Sequence, residues 1–170
     1  MKALKLTALF ALATFAIVSC SKKDDAPAGP TYAGTATYEG KSYRTDSAYF
    51  LPDYDSTNQM DVGYFFISSN IASYFYTNGG TGNTIVLEYL QNTIVPGSYT
   101  FKNSGSVSLQ NFVYGDALFD SNTDNEVYSK ATAGTFTLAK ADGTKYKIDY
   151  DLTLANGKKV TGTYTGVILQ

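Results

Sequence analysis

The sequence predicts an all-β domain, a single antiparallel β-sandwich, with a flattened β-barrel as the alternative. The chain of 170 residues contains 15 tyrosines and 10 phenylalanines, and aromatic side chains favour strands. Short apolar or alternating segments recur between turns that are rich in glycine, asparagine and proline. Beyond residue 31, no segment repeats its apolar side chains with a helical period.

Residues 1–19 predict a secretory signal peptide. Lys2 and Lys5 form a basic start, and the apolar run 6–18 follows them. This run is too short to span a bilayer as a helix, which needs about 20 apolar residues. A basic start, a short apolar centre and small residues near its end are typical of a secretory leader. A buried N-terminal helix is the alternative, but the run is apolar on every side and ends in a polar stretch.

The only cysteine of the chain, Cys20, follows directly after this run. The segment Ile17-Val18-Ser19-Cys20 resembles the lipobox of bacterial lipoproteins, in which the cysteine becomes the first mature residue and carries the lipid. A thiolate is a strong nucleophile for forming the thioether bond. The resemblance implies a firm anchor, because several acyl chains hold far better than one. A free thiol or half of an intermolecular disulfide is the alternative.

Residues 20–31 predict a lipidated tether. The segment SKKDD (21–25) resembles the lysine-then-acid export signal of surface-exposed lipoproteins in Bacteroidota-type bacteria. Two prolines and a glycine in 26–31 are typical of a spacer. The resemblance implies a protein of the outer membrane that is exposed at the cell surface. Exposure to the periplasm is the alternative, and a solvated run of charges in a tether accounts for the same residues.

Composition excludes several function classes. The chain has no histidine, the commonest general base and metal ligand. If Cys20 carries lipid, thiolate catalysis, thiolate zinc sites and imidazole-based triads are excluded as well. The net charge is −2 and the sequence contains no basic patch, so it predicts no nucleic-acid partner.

Residues 32–170 predict one domain of eight to ten short strands. A hairpin is predicted over 35–50 with its turn at Gly40-Lys41, followed by a loop over 51–61. Further strands are predicted over 62–69, 72–77, 84–90, 98–101, 106–119 (one or two strands) and 127–130. The segments 78–83 and 120–126 are predicted as turn and loop.

The C-terminal third predicts a three-stranded antiparallel meander over 134–140, 145–154 and 159–169. Asp142-Gly143 and Asn156-Gly157 separate these strands, and such pairs are the strongest short-range hairpin signals. In the middle strand, tyrosine, isoleucine and leucine alternate with charged residues and threonine. This alternation predicts a sheet that is wet on one face.

The segments VPGSYTF (95–101) and 134–166 resemble the uncharacterised β-sandwich domains of small Bacteroidota-type lipoproteins. The resemblance covers about half of the domain and consists of strand and turn patterns. It therefore implies a fold and a location and transfers no site residue. The barrel alternative is of the lipocalin-like kind.

One segment has the start of a calcium-binding loop. Asp120, Asn122 and Asp124 alternate, and oxygen ligands at the first, third and fifth positions begin such a loop. The twelfth position is Ala131, where a calcium loop carries glutamate. Calcium is thus the one cofactor for which the sequence offers a candidate, and a solvated loop with Asx-turns is the alternative.

A second acidic segment carries Asp53, Asp55, Asn58 and Asp61. Its side chains match no defined metal spacing. Glu88 lies in the apolar segment 84–90, where burial would raise its pKa as a general acid requires. An outward-facing position on an alternating strand is the favoured alternative for Glu88.

Surface tyrosines are the remaining candidates, because a phenol ring can stack on a sugar and hydrogen-bond its rim. Tyr74 and Tyr76 share one face of a predicted strand, and Tyr54 and Tyr64 lie near the second acidic segment, as does Tyr49. Core positions or cross-strand pairs are the alternative for each of them. The absence of tryptophan, the usual platform for sugars, weakens this interpretation.

These patterns together predict a surface-anchored lipoprotein with a non-catalytic binding domain that captures an extracellular glycan or another ligand. The alternative is a structural or assembly lipoprotein of the envelope that binds a protein partner, for example by strand addition at an open sheet edge. A small carboxylate-based hydrolase is the third hypothesis.

Overall fold

The computed structural model describes residues 33–70, 82–119 and 127–170. The regular structure of these residues is entirely β, which confirms the predicted all-β class. The ten strands are β1 (Gly34–Tyr38), β2 (Lys41–Arg44), β3 (Ser47–Asp55), β4 (Met60–Ser68), β5 (Thr84–Tyr89), β6 (Gly97–Phe101), β7 (Asn111–Phe119), β8 (Val127–Lys140), β9 (Lys145–Leu154) and β10 (Lys159–Leu169). None of the described residues belongs to a helix that could cross a membrane.

The described strands pair in a ring. Seven of them follow one another in the order β3, β4, β5, β7, β8, β9 and β10, each antiparallel to the next. With an odd number of alternating strands, the first and last must run parallel where they meet. Ile168 and Leu169 of β10 accordingly pair in parallel with Ala48 and Tyr49 of β3. The sheet is therefore mixed, where the sequence predicted antiparallel pairing throughout, and it closes on itself as a barrel does.

The other three described strands extend this ring. β1 pairs with β10 and β2 pairs with β1, while β6 lies between β7 and β8. β8 pairs with β7 through residues 127–130 and with β6 through residues 135–138, and between these two parts its register with β9 shifts, between Ala131 and Ala133. Gly134 follows this shift with φ +140°, and a Cβ there would lie 2.9 Å from the Leu152 Cα. Only glycine fits this position.

Aromatic side chains fill the interior of the ring. Phe136 of β8 stacks on Tyr99 of β6, with ring centroids 4.6 Å apart, and meets Phe65 of β4 at 6.1 Å. Tyr43 of β2 stacks on Phe119 of β7 at 4.3 Å. Each buried ring contributes about 1.5–3 kcal/mol of hydrophobic stabilisation. Strands on opposite sides of the ring thus pack directly on each other, as the sheets of a sandwich do, and a ligand has to bind outside this core.

The predicted loop over 51–61 is wrong. β3 continues to Asp55 and β4 starts at Met60, so the connection is a turn over 56–59. The acidic residues and proline of this segment look loop-like, but they pair along the whole hairpin, with Pro52 opposite Gly63. A proline is tolerated because β3 pairs with β10 only at its start, so one edge of β3 needs no N–H donor there.

Two other predicted boundaries differ. The predicted hairpin over 35–50 contains the β1–β2 hairpin, but β2 ends at Arg44. The rest of the segment begins β3, which pairs with β10 and β4. The segments 127–130 and 134–140 form one strand, β8, which bends at Gly134 without ending. The strand predicted over 72–77 lies outside the described residues.

The other predictions agree more closely. The meander strands β9 and β10 have the predicted bounds, 145–154 and 159–169. The predicted central strand over 84–90 is β5, which is buried along most of its length and pairs on both edges. β6 begins one residue earlier than predicted, and of the segment 106–119 only Asn111–Phe119 is a strand.

Candidate functional site

Three connections meet at one end of the ring and enclose an open groove. They are the β3–β4 turn, the β5–β6 connection and the β6–β7 connection. The groove consists of two adjoining cavities of about 490 and 230 Å3 that share Met60, Leu90 and Val107. We call it the end groove. Its polar lining residues are Asp55, Asn58, Asp61, Glu88, Gln91, Asn92, Thr93, Lys102, Asn103, Ser104 and Ser108.

The β3–β4 turn forms one wall of the end groove and is held by Asp55. One carboxylate oxygen of Asp55 accepts hydrogen bonds from the backbone N–H groups of Thr57 at 2.9 Å and Asn58 at 3.2 Å. The other oxygen accepts from the Asn58 side-chain amide at 2.6 Å. These bonds, those of Asn58 first, lower the pKa of Asp55. An ionised Asp55 thus fixes the tight turn, in which Gln59 adopts φ +55°.

Glu88 forms part of the floor. On the outer face of β5 it lies directly opposite Tyr64 of β4 and Tyr114 of β7. Glu88 is half-buried, and burial raises the pKa of its carboxyl group, with smaller contributions from the charges of Asp55 and Asp53. The hydrogen bond with Tyr64 lowers this pKa and so opposes the effect of burial. The outward position favoured from the sequence is correct, but the surroundings cover much of the side chain.

Tyr64 is the hydrogen-bond donor to Glu88. Burial and the nearby charge of Glu88 raise the pKa of Tyr64 to about 12. The phenol therefore keeps its proton at neutral pH and can donate to the carboxylate. The pair places one preoriented carboxyl group in the floor of the end groove.

The β6–β7 connection forms the opposite wall and is tied down by several hydrogen bonds. The Lys102 ammonium donates to the carbonyl oxygen of Ser106. The Ser108 N–H donates to the side-chain oxygen of Asn111 at 2.8 Å, and the Asn111 N–H donates back to the Ser108 carbonyl at 2.9 Å. From the β5–β6 side, the Gln91 amide donates to the Leu109 carbonyl at 3.3 Å. Both walls are thus fixed by local bonds before any ligand enters.

The lining chemistry suits a polyhydroxylated ligand. Carboxylates accept hydrogen bonds from hydroxyl groups, and side-chain amides both donate and accept. Lys102 is the cation among the lining residues. Strips of apolar side chains alternate with these groups and can cover the C–H faces of a ring; they are Met60, Val62, Leu90, Val107, Leu109 and Val113. A few convergent polar groups beside apolar surface are typical of small-molecule sites.

The structure brings together the acidic residues and the tyrosines predicted from the first half of the chain. Asp55, Asn58 and Asp61 line the end groove, and Asp53 lies two residues before Asp55 on β3. Tyr54 is 55% exposed and lies opposite the lining residue Asp61 across the β3–β4 hairpin, but it does not itself line either cavity. In the described ranges, no group of three or more metal-ligating side chains could hold a metal ion.

Other predicted site residues lie outside the described residues. These are Cys20, the tyrosines Tyr74 and Tyr76, and the calcium-loop candidates Asp120, Asn122 and Asp124. Tyr49 is on β3, opposite Phe66, and is partly buried.

Sequence reasoning missed Gln91 and the whole wall at 102–108, because an irregular connection carries no periodic pattern. It also missed Asp116, a buried carboxylate on β7. The signal that drew attention to Glu88, an acid within an apolar strand, is equally present around Asp116 in the segment FVYGDALF.

The fold and the end groove define a closed, mixed all-β domain with an open polar site at one end. Comparisons with protein-family models, with curated protein sequences and with solved structures find no match for this chain.

Proposed function

We propose that this protein is a surface-anchored lipoprotein of the outer membrane whose β-domain captures an extracellular glycan without chemical turnover. The observation that supports capture is the end groove, with its carboxylates and amides beside apolar side chains. The anchor and its location rest on the leader, Cys20 and the tether that follows it. The glycan is the partner outside the cell, and the lipid on Cys20 holds the protein to the membrane.

Binding uses the two fixed walls and the floor. The Glu88 carboxylate accepts hydrogen bonds from two neighbouring hydroxyl groups of one sugar, and Asn58 and Asn103 supply amide donors and acceptors from either wall. Met60 and Leu90 cover the C–H face of the ring. Because the walls are already held by local hydrogen bonds, little conformational entropy is lost on binding. Tyr54, which lies opposite the lining residue Asp61, offers an exposed ring for stacking.

A hydrolase is a second candidate, favoured by one observation. Asp55 has a lowered pKa and Glu88 a raised one, and both line the same cavity. Two carboxyl groups whose pKa values are shifted in opposite directions are typical of the base and the acid in glycoside hydrolysis. However, both oxygens of Asp55 already accept hydrogen bonds within the β3–β4 turn. This leaves Asp55 poorly placed to attack a sugar or to activate water, so binding is the better-supported proposal.

The protein-partner alternative needs an open sheet edge. Beyond Tyr49, β3 has no described neighbour on one edge, but Pro52 interrupts that edge. Among the described strands, β2 ends the pairing order and has β1 as its neighbour. It has four residues, with charged Lys41 and Arg44 at its ends. Short strands and charged side chains are what proteins use to prevent strand addition. The carbonyl of Arg44 also accepts a hydrogen bond from the Asn83 side chain at 3.4 Å. Glycan capture therefore has the stronger support.

A retention assay tests the proposal. The purified full-length protein is passed over immobilised dextran, laminarin, xylan and pectin, and each polymer is also assayed for released reducing ends. We expect retention on at least one neutral polymer without release of sugar. Glu88→Gln should weaken this binding by about tenfold or more, equivalent to about 1.4 kcal/mol.

Glu39→Gln is the matched control, because Glu39 is exposed in the β1–β2 turn and pairs with Lys158 outside the groove. It should bind like the wild type. Failure of the wild-type protein to bind any of the four polymers would contradict glycan capture. Release of sugar that depends on Glu88 would favour the hydrolase.

A further inference from the structure

A second polar cluster lies on the outer face of β7 and β8, next to the end groove. The Tyr114 hydroxyl donates to one carboxylate oxygen of Asp116 at 2.8 Å. The Tyr128 hydroxyl donates to the same oxygen at 3.3 Å, and the two phenol oxygens are 3.4 Å apart. We call Tyr114, Asp116 and Tyr128 the tyrosine cluster. It holds two aromatic rings in fixed positions through one shared acceptor.

The tyrosine cluster is unusual because its acceptor is a buried charge. Asp116 is 8% exposed, and burial raises the pKa of its carboxyl group, against the hydrogen bonds of the two phenols and the charge of Lys130. Lys130 lies directly opposite Asp116, with its ammonium 5.6 Å from the centre of the Tyr114 ring. Burying a carboxylate is costly even when it is hydrogen-bonded. The result of the arrangement is the orientation of two tyrosines around one buried acceptor.

One of these tyrosines faces solvent. Tyr128 is 55% exposed although its hydroxyl is tied to a buried group. An exposed ring that is already fixed loses little rotamer freedom when a ligand stacks on it. Because both phenols direct their protons to Asp116, their oxygens remain available as acceptors for hydroxyl groups of a ligand. Burial also raises the pKa of Tyr114, so this hydroxyl stays protonated.

The tyrosine cluster is continuous with the end groove. Tyr114 lies directly opposite Glu88, the floor residue of the groove, on the neighbouring strand. Side chains at opposed positions on adjacent strands have Cβ atoms about 4.5–5.5 Å apart. Val113, the residue before Tyr114, lines the groove itself. A ligand that fills the groove and continues across β5 towards β8 reaches the cluster without leaving the surface.

We propose that the tyrosine cluster is a second sugar subsite, so that the ligand is an extended glycan chain that spans from the end groove to Tyr128. This inference rests on the proposed glycan capture and specifies its ligand class. The groove holds one or two sugar rings, and Tyr128 stacks on a ring further along the chain. Because the second contact is intramolecular once the first has formed, affinity rises with chain length.

The test measures affinity against oligosaccharide length. The probes are a disaccharide and a hexasaccharide prepared from dextran, laminarin, xylan or pectin, whichever of these four retains the wild-type protein. We expect the wild type to bind the hexasaccharide at least about tenfold more tightly than the disaccharide. Tyr128→Ala should abolish that gain and leave disaccharide affinity within about twofold. Leu169→Ala, which shortens an exposed apolar side chain on β10, is the control and should keep the full gain.

Each result bears on the inference separately from the proposed function. If Tyr128→Ala keeps the wild-type gain with length, the second subsite is refuted and glycan capture still stands. If the wild type binds none of the four polymers, both are refuted. Asp116→Asn provides a further readout: a lower melting temperature with unchanged dependence on length would show a purely structural network, whereas a reduced gain in the still-folded variant would support the subsite.

Discussion

Tyr150 and Gly162 form the contact that most directly tests the packing of the ring. Tyr150 of β9 is 4% exposed and lies directly opposite Gly162 of β10. A Cβ added at Gly162 would overlap the Tyr150 hydroxyl and lie 2.6 Å from the carbonyl oxygen of Thr35 on β1. The aromatic ring thus occupies the space that the glycine leaves empty, and Gly162→Ala forces either the ring or β1 to shift.

The expected cost follows from overpacking, which typically destabilises a core by about 1–3 kcal/mol. We expect the upper half of that range, about 2–3 kcal/mol, because one of the two clashes is with backbone that pairs with β10. Gly157→Ala is the matched control: it adds the same methyl group in a turn where nothing lies within 4 Å of the new Cβ. With φ +78°, it should cost only the left-handed backbone penalty, about 1–2 kcal/mol.

Urea unfolding of the wild type, Gly162→Ala, Tyr150→Leu and the double variant measures the coupling. Leucine removes the ring that the new methyl group meets, so the double variant should be more stable than the sum of the single effects predicts. We expect a coupling of about 1–2 kcal/mol. Additivity within about 0.5 kcal/mol, or a Gly162→Ala variant that is no less stable than Gly157→Ala, would refute this account of the packing.

Three further predictions concern the site and the anchor. Asp55→Ala should release the β3–β4 turn, so amide hydrogen exchange at Thr57 and Asn58 should become faster while the core amides keep their protection. Asp116 has a raised pKa in the folded state, so the folded state holds this proton more tightly than the unfolded state does. The unfolding free energy of the wild type should therefore fall as pH rises above the ordinary pKa of aspartate. Asp116→Asn should remove this contribution to the dependence of the unfolding free energy on pH. Cys20→Ala should abolish incorporation of labelled palmitate and leave the leader uncut, as followed by mass.

Each of these has an opposite outcome. Unchanged exchange at the turn would mean that Asp55 does not hold it. Parallel stability profiles for the wild type and Asp116→Asn would contradict the raised pKa. Palmitate incorporation that persists without Cys20 would refute the proposed attachment point.

The C-terminal meander could be predicted residue by residue because its signals are local. Asn156-Gly157 and Asp142-Gly143 fix the turns, and alternation along β9 fixes which face is buried. The extent of β8 was harder to predict, because Gly134 in the sequence indicates the end of one strand and the start of another. In the fold, glycine lets the strand bend and continue between two different neighbours.

Ring closure could not be predicted in the same way. It depends on two residue pairs between β10 and β3, which are far apart in sequence and carry no shared pattern. The candidate site has the same limitation. Glu88 stands out in the sequence as an acid in an apolar strand and Asp55 belongs to an acidic segment, but only the pairing of β4 with both β3 and β5 brings the two together. The half-burial of Glu88 likewise depends on neighbours from other strands.

The position of β10 in the ring has a consequence for how the chain acquires its structure over time. β10 pairs with β9, β1 and β3, so the β1–β2 hairpin cannot join the rest of the sheet, and the ring cannot close, until residues 159–169 are available. Proteins are made from the N-terminus, and contacts between distant segments slow folding. Until β10 is available, the sheet lacks the strand that joins β9 to β1 and β3. Closure of the ring is thus a late step of folding, and it depends on the eleven residues of β10.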